Sequence, residues 1–206
     1  MASYFTVENE AKAEYEIKHS RFIGYIKPVS TKQEAEAFIA SVRQKHWDAR
    51  HNVFAYKLRE ENFKRYSDDG EPQGTAGVPV LDVIEKSSLT DVCIVVTRYF
   101  GGILLGGGGL VRAYSHTASL SVEAGKRIEM SLCSEFEISC DYGFFGKLGS
   151  LIPESGGIIE ETEFSDGVLL TGYIRDDEYG KLNSKIVEAS AGRYSLTLKD
   201  KKFSKI

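Results

Sequence analysis

The chain has 206 residues, of which 42% are hydrophobic and 27% are charged, and its formal net charge is −4. This length allows one large domain or two small ones, and the composition is that of a folded protein rather than a disordered or fibrous one. The charge excludes the broad cationic field that drives non-specific nucleic-acid binding, so any such binding needs a local patch.

The N-terminal part of the chain begins with an extended segment followed by a helix. Residues 14–29 alternate apolar and polar side chains as a single strand would. Thr31 and Glu34 have the spacing of a capping box, and apolar residues three and four apart follow them. This pattern predicts an amphipathic helix. Residues 52–66 then predict a hairpin with a charged turn at 60–62.

Two glycine-rich segments interrupt the next elements. A polar segment, 67–77, precedes a short helix predicted over 78–85. Residues 92–96 are β-branched except for one cysteine, which indicates a strand buried on both faces. A second glycine-rich segment, 101–109, leads into a long helix predicted over 110–125.

The C-terminal part has a different pattern. The Asp166-Gly167 pair is a strong turn signal between two alternating runs. The whole segment predicts strand, helix, two strands, helix and strand, which is the ferredoxin-like βαββαβ order. We therefore expect an α+β protein with an N-terminal domain over 1–132 and a ferredoxin-like domain over 133–206. The predicted elements are strands 134–140, 157–164, 167–174 and 193–199 and helices 142–152 and 176–190.

The first glycine-rich segment contains three carboxylates within four residues. Two interpretations are open. The carboxylates cap the backbone of a turn, as Asp side chains often do, or they supply a general base or cation ligands. No EF-hand pattern is present. The residues concerned are Asp68, Asp69, Gly70, Glu71, Pro72, Gly74, Thr75 and Gly77.

The second glycine-rich segment lies between a strand and a helix start. Glycines leave amide groups unshielded, and a helix start is electropositive, so the segment is a candidate anion cradle. It is equally a scaffold for close packing. In the binding interpretation, Arg98 and Arg112 contact phosphate and Tyr99, Phe100 or Tyr114 offers a ring to a base. The glycines that shape the cradle are Gly101, Gly102, Gly106, Gly107, Gly108 and Gly109.

Known catalytic and cofactor motifs do not fit. Gly107-Gly108 stands where a P-loop requires Lys followed by Ser or Thr, and no G-x-G-x-x-G is present. The four histidines lack metal or triad spacing, so the pattern indicates no metal and no cofactor. Three cysteines without C-x-x-C spacing favour buried thiols in a reducing cytoplasm. The sequence contains no run of 18 apolar residues, so we expect no membrane-spanning helix, and we expect no secretory signal.

The two glycine-rich segments resemble the YigZ/IMPACT family. The resemblance is carried by HNVFAY at 51–56, DDGEPQGTAGVP at 68–79, VVTRYFGGILLG at 95–106 and GGLVRAY at 108–114. It covers about residues 15–125, and the C-terminal part looks like the second domain of bacterial members. Gly107 departs from the small side chain that is usual there.

The resemblance implies an N-terminal βαβ fold like that of a ribosomal protein domain and of domain IV of elongation factor G, with a C-terminal domain like its domain V. It also implies translational regulation without chemistry, because eukaryotic relatives act through a protein partner. We therefore expect a non-enzymatic cytoplasmic module that binds RNA, the ribosome or a translation-related protein. The alternative is a hydrolase or transferase that uses Asp68, Asp69 and Glu71 as acid, base or metal ligands.

Overall fold

The computed structural model describes residues 3–205 and divides into two compact units. Tyr4–Glu129 form the first unit, and the described residues from Met130 onward belong to the second. The sequence placed the division a few residues later, after residue 132. Each unit combines helices with an antiparallel sheet, so the α+β class is confirmed.

The first unit is a five-stranded sheet covered on both faces. The strand order is β2-β3-β6-β4-β5, and every neighbouring pair is antiparallel. One helix packs on one face of this sheet and two on the other. The elements are β1 (Ser3–Val7), β2 (Ala11–Ile17), β3 (Ser20–Pro28), α1 (Lys32–Lys45), β4 (His51–Lys57), a 3-10 turn (Glu60–Asn62), β5 (Lys64–Ser67), α2 (Gly77–Lys86), β6 (Val92–Tyr99) and α3 (Gly107–Gly125).

Several predicted elements of this unit are confirmed. The Thr31 hydroxyl accepts a hydrogen bond from the Glu34 amide at 3.2 Å, which is the expected cap of α1. Strand β6 is central and buried on both faces. Ile94 packs toward α2 and α3, whereas Val95 packs toward α1, because successive side chains of a strand point to opposite faces.

Two boundaries differ from the sequence prediction. Residues 14–29 are a hairpin rather than one strand, because Lys18 and His19 turn the chain with φ values of 47° and 62°. The sequence carries no glycine or asparagine there to signal a turn. Helix α3 begins at Gly107 rather than at 110, so three consecutive glycines form its first turn.

Helix α3 lies very close to the sheet. A Cβ atom on Gly24 of β3 would lie 2.1 Å from the Ser121 Oγ of α3, so no side chain fits at that position. The small residues of α3 face this contact, and Thr117 and Ser121 are fully buried. The helix is therefore held against β3 at a short distance.

The second unit has the ferredoxin-like strand order β10-β7-β9-β8, all antiparallel, with two helices packed against one face. The predicted fold of this unit is confirmed. The elements are β7 (Arg127–Cys140), α4 (Tyr142–Glu154), β8 (Ile158–Phe164), β9 (Val168–Arg175), α5 (Asp176–Ala189) and β10 (Thr197–Ser204).

The last strand begins four residues later than predicted, at residue 197 rather than 193. The amides of Tyr194 and Leu196 donate to the side chains of Ser190 and Asn183, at 3.1 and 2.8 Å. They are therefore not available to a sheet, and the strand begins at Thr197. Helix α4 also continues through Pro153 to Glu154, rather than ending before the proline.

The three cysteines are buried, as the sequence predicted. Over residues 3–205, no helix is both long enough and apolar enough to span a membrane.

Candidate functional site

The first glycine-rich segment is organised around Asp68. Its carboxylate accepts hydrogen bonds from the amides of Gly74, Ala76 and Gly77, at 2.9, 3.1 and 2.8 Å. The Ala76 and Gly77 amides lie at the start of α2, which has no other side-chain cap, and the Gly74 amide lies in the loop before it. An acceptor is needed there because the first amides of a helix have no partner within it. Asp68 therefore closes the loop onto the helix.

The other two carboxylates of this segment are also occupied. Asp69 accepts from the Asn52 amide at 2.6 Å and from the Arg43 guanidinium at 2.7 Å. Glu71 is buried, and its Oε1 accepts from Arg98 Nη1 at 2.6 Å and from the Tyr114 hydroxyl at 2.8 Å. These contacts support the first interpretation of the acidic cluster, in which the carboxylates stabilise a turn.

Arg98 is therefore not an exposed phosphate contact. Only 6% of the residue is accessible, and its guanidinium carbon lies 5.5 Å from the ring centroids of both Phe22 and Phe100. Nη1 is paired with Glu71, whereas Nε has no hydrogen-bond partner. The first glycine-rich segment meets the end of β6 at this ion pair, in which the Glu71 carboxylate offsets the positive charge of Arg98.

Two of the predicted aromatic contacts are also wrong. Tyr114 is fully buried, and its hydroxyl is bound to Glu71, so it offers no ring to a ligand. Burial, and then the negative charge of Glu71, raise the pKa of Tyr114. Tyr99 lies toward α1, where its hydroxyl donates to Asp48 at 2.9 Å. Strand alternation places it on the face opposite Arg98. Phe100 remains available, with 43% of its surface exposed.

The glycines of the second segment have separate roles. A Cβ on Gly101 would lie 2.0 Å from the carbonyl carbon of His19, and its amide donates to the Ser20 hydroxyl at 3.2 Å, so Gly101 is a packing residue. Gly102 is exposed, with φ 83°. Gly106 immediately precedes α3, has φ 70° and ψ 165°, and provides no side-chain cap.

The first turn of α3 leaves its amides open. Within the described part of the chain, no group accepts a hydrogen bond from the amides of Gly107, Gly108 or Gly109. All three residues lack side chains that would cover these donors. Arg112 is exposed one turn later, and its Nη1 lies 3.8 Å from where a Cβ of Gly108 would be. This end of the helix is the electropositive part of the site.

A cavity of about 360 Å³ lies beside this helix start and the Arg98–Glu71 pair. Its apolar wall includes Phe100, Leu104, Leu105 and Leu110, and its polar wall adds Arg50 and His51, neither of which was predicted as a site residue. Arg50 is exposed, and over residues 3–205 neither it nor Arg112 has an acidic partner. His51 Nδ1 donates to the Asp69 carbonyl at 2.8 Å.

Comparison with known proteins agrees with this arrangement of motifs. The Impact N-terminal domain family matches residues 18–122, and a domain family of unknown function matches residues 138–193. IMPACT family member YvyE of Bacillus subtilis is 41% identical over 192 residues, covering 93% of this chain and 88% of the relative. The chain belongs to the IMPACT family. The resemblance seen in the two glycine-rich segments is thus confirmed.

Other IMPACT relatives match over different lengths. Family member YigZ of Escherichia coli is 33% identical, covering 88% of this chain and 90% of the relative. Protein IMPACT of Bos taurus is 31% identical over 43% of this chain and 29% of its own length. A crystal structure described only as that of a hypothetical protein has a TM-score of 0.63 and 31% identity, with 97% of this chain and 98% of that chain covered.

In this IMPACT family member, the carboxylates assigned to the alternative hydrolase are engaged with backbone amides, Arg43, Arg98 and Tyr114. Over residues 3–205, no three His, Cys, Asp or Glu side chains are grouped so as to hold a metal ion. No contact in the site favours the alternative.

Proposed function

We propose that this protein is a cytoplasmic, non-enzymatic binding module of translation that contacts RNA phosphate at the start of α3. The observation that carries the proposal is the uncapped first turn of α3, with three open amides beside two unpaired arginines. Such a helix end binds anions because its amides and its dipole both favour negative charge. The translational role comes from the resemblance to IMPACT relatives.

The charge distribution supports a local contact rather than a general nucleic-acid field. The net charge of −4 opposes polyanion binding over the whole surface. Arg50 and Arg112 are exposed and have no acidic partner in residues 3–205, and Phe100 presents an exposed ring beside them. Arginine pairs with phosphate through its planar fork, and an aromatic ring stacks on bases of any identity. These features favour single-stranded RNA.

The test is a titration of fluorescently labelled single-stranded RNA at a series of salt concentrations. We expect binding at low salt that weakens by about 0.7 log units per log of salt for each phosphate contact. Arg112→Gln and Arg50→Gln each remove one contact, so each lowers the affinity and reduces the salt slope. Lys147→Gln removes the same charge from an exposed site in the second unit and serves as the matched control.

Three results would contradict the proposal. The first is no RNA binding at low salt, and the second is that the two arginine variants bind as the Lys147 control does. The third is sedimentation with ribosomes that is unaffected by either arginine variant, because this result would assign recognition to a protein surface.

A further inference from the structure

Arg98 has fewer partners than its burial requires. It is one of the most buried charged residues of the first unit, yet its guanidinium makes one hydrogen bond, from Nη1 to Glu71. Nε is buried and has no partner. A guanidinium has five N–H donors, and buried polar groups are nearly always hydrogen-bonded. This deficit is independent of the helix start and indicates that an acceptor is missing beside Arg98.

The unpartnered Arg98 side chain and the first open amide, that of Gly107, border one cavity, and the amides of Gly108 and Gly109 follow in the same helical turn. Arg98, Gly106 and Gly107 all line the space of about 360 Å³, and Phe100 covers the guanidinium. Glu71 offsets one positive charge in this cavity, but the helix end, Arg50 and the neighbouring Arg112 remain. The remaining charge favours an anion that carries nearly two negative charges.

A phosphate monoester fits these donors better than the diester within a nucleic-acid strand. A monoester carries close to two negative charges at neutral pH and three terminal oxygens, whereas a diester carries one charge and two such oxygens. The open amides of Gly107, Gly108 and Gly109 are available to donate hydrogen bonds to those oxygens. The Phe100 ring and the leucines of the apolar wall provide a surface for a flat base.

We propose that this cavity binds the terminal phosphate monoester of a nucleotide, supplied either by a free mononucleotide or by a phosphorylated end of RNA. The proposal deepens the RNA-binding function and rests on it for the second source. In this arrangement the phosphate lies at the first turn of α3, the base lies on Phe100, and the bound anion adds negative charge beside the Arg98 side chain that lines the cavity.

The first experiment compares RNAs of one sequence that carry a 5′-phosphate, a 3′-phosphate or hydroxyls at both ends. We expect one phosphorylated form to bind at least tenfold more tightly than the hydroxyl form. Equal binding of all three overturns the monoester proposal but leaves the proposed RNA-binding function intact. Adenosine, guanosine, cytidine and uridine monophosphates are also titrated directly by calorimetry. If a monophosphate binds but RNA does not, the cavity proposal is supported with the free nucleotide as the source of the phosphate, and the proposed RNA-binding function is overturned. Absence of both overturns both proposals.

The second experiment removes a single amide donor. Gly107 is the first residue of α3, where proline is well tolerated because its missing N–H has no helical partner. A Cβ at this position would meet only Thr75 Cγ2, at 3.8 Å. We expect Gly107→Pro to abolish most of the preference for the phosphorylated end without lowering the melting temperature. Gly107→Ala keeps the amide and is the matched control.

This choice of variants avoids substituting Arg98, which would leave Glu71 buried without its cation. A Gly107→Pro protein that folds and retains the full preference would overturn the proposal. So would an equal loss in Gly107→Pro and Gly107→Ala, because that result would assign the effect to the added side-chain atoms.

Discussion

The two glycine-rich segments look alike in the sequence, but they differ in how their polar groups are satisfied. In the segment that contains Asp68, the carboxylates receive hydrogen bonds from backbone amides and from arginines. In the segment that ends at the start of α3, three backbone amides face no acceptor within residues 3–205. The first segment is closed on itself, whereas the second is open to a ligand.

This difference indicates which of the two glycine-rich segments is able to bind a ligand. A loop whose donors and acceptors are matched internally contributes to stability, because burying an unmatched group is costly. A loop that leaves donors unmatched at the surface keeps its hydrogen-bonding capacity for a partner. Substitutions in the first segment should therefore lower stability, whereas those in the first turn of α3 should alter binding.

The largest expected effect is at the ion pair that joins the first segment to the end of β6. Glu71→Ala leaves Arg98 buried without its carboxylate and the Tyr114 hydroxyl without its acceptor. We expect the free energy of unfolding to fall by about 3–5 kcal/mol, as for other broken buried pairs. Urea unfolding followed by circular dichroism measures this loss. Glu71→Gln keeps a neutral acceptor and should lose less. A loss below about 1 kcal/mol for the alanine variant would show that the closed segment does not depend on this pair.

The next effect is at the cap of α2. Asp68→Ala removes the acceptor of three amides, and we expect a loss of about 2–3 kcal/mol. Asp68→Asn retains one acceptor oxygen and should fall between the alanine variant and the native protein. Thermal and urea unfolding give the order of the three proteins, and RNA affinity measured below the melting temperature should be unchanged. An equal stability of all three proteins would contradict the capping role.

A smaller effect is expected where the open segment enters α3. The φ of 70° and ψ of 165° at Gly106 lie in a region that only glycine adopts easily. Gly106→Ala should cost about 1–3 kcal/mol and shift the amides that follow. Gly107→Ala, one residue later, should be neutral or slightly stabilising because its backbone is helical. If both variants had the same stability, the backbone strain assigned to Gly106 would be absent.

The smallest effect concerns the sheet face opposite both segments. His46 is buried between Tyr25 and Tyr99, with its Nε2 2.7 Å and its Nδ1 2.8 Å from their hydroxyl oxygens. Burial, and then the nearby charge of Lys45, lower the pKa of His46. The unfolded chain therefore takes up a proton at higher pH than the folded protein does. Stability is highest above about pH 6.5 and falls as the pH drops from there toward the folded pKa.

Urea midpoints at pH 7.5 and 5.5 measure this change. The native protein should lose more stability between the two values than His46→Gln does, while RNA binding keeps its dependence on Arg112. If both proteins lost the same amount of stability between pH 7.5 and 5.5, titratable groups other than His46 would be responsible for the loss.

Elements with a clear period were predictable from the sequence. The cap at Thr31, the apolar spacing of α1 and the β-branched run of β6 each carry a local signal, and the structure confirms them. The β2–β3 turn has no such signal. Lys18 and His19 adopt positive φ although neither is glycine or asparagine, so the pairing of β2 with β3 determines the turn.

The candidate site was only partly predictable. Strand alternation determines which residues at the end of β6 share a face, but it does not say that a charged side chain is buried. Arg98 is buried because Glu71, 27 residues earlier, supplies its partner. That pairing is a tertiary contact. Arg50 was missed because it lies outside both glycine-rich segments and joins them only when β4 pairs with β6.

The close approach of Gly24 and Ser121 has a consequence for the distant end of α3. Those two residues lie about 20 Å from the first turn of the helix, at 1.5 Å of rise per residue. Any side chain on Gly24 would push α3 away from β3. Because α3 is rigid, a tilt near Ser121 would displace its first turn the most. Affinity for an anion would then change through a residue that never touches it and carries no charge. The close contact between β3 and α3 therefore helps to set the position of the amides that would bind the anion.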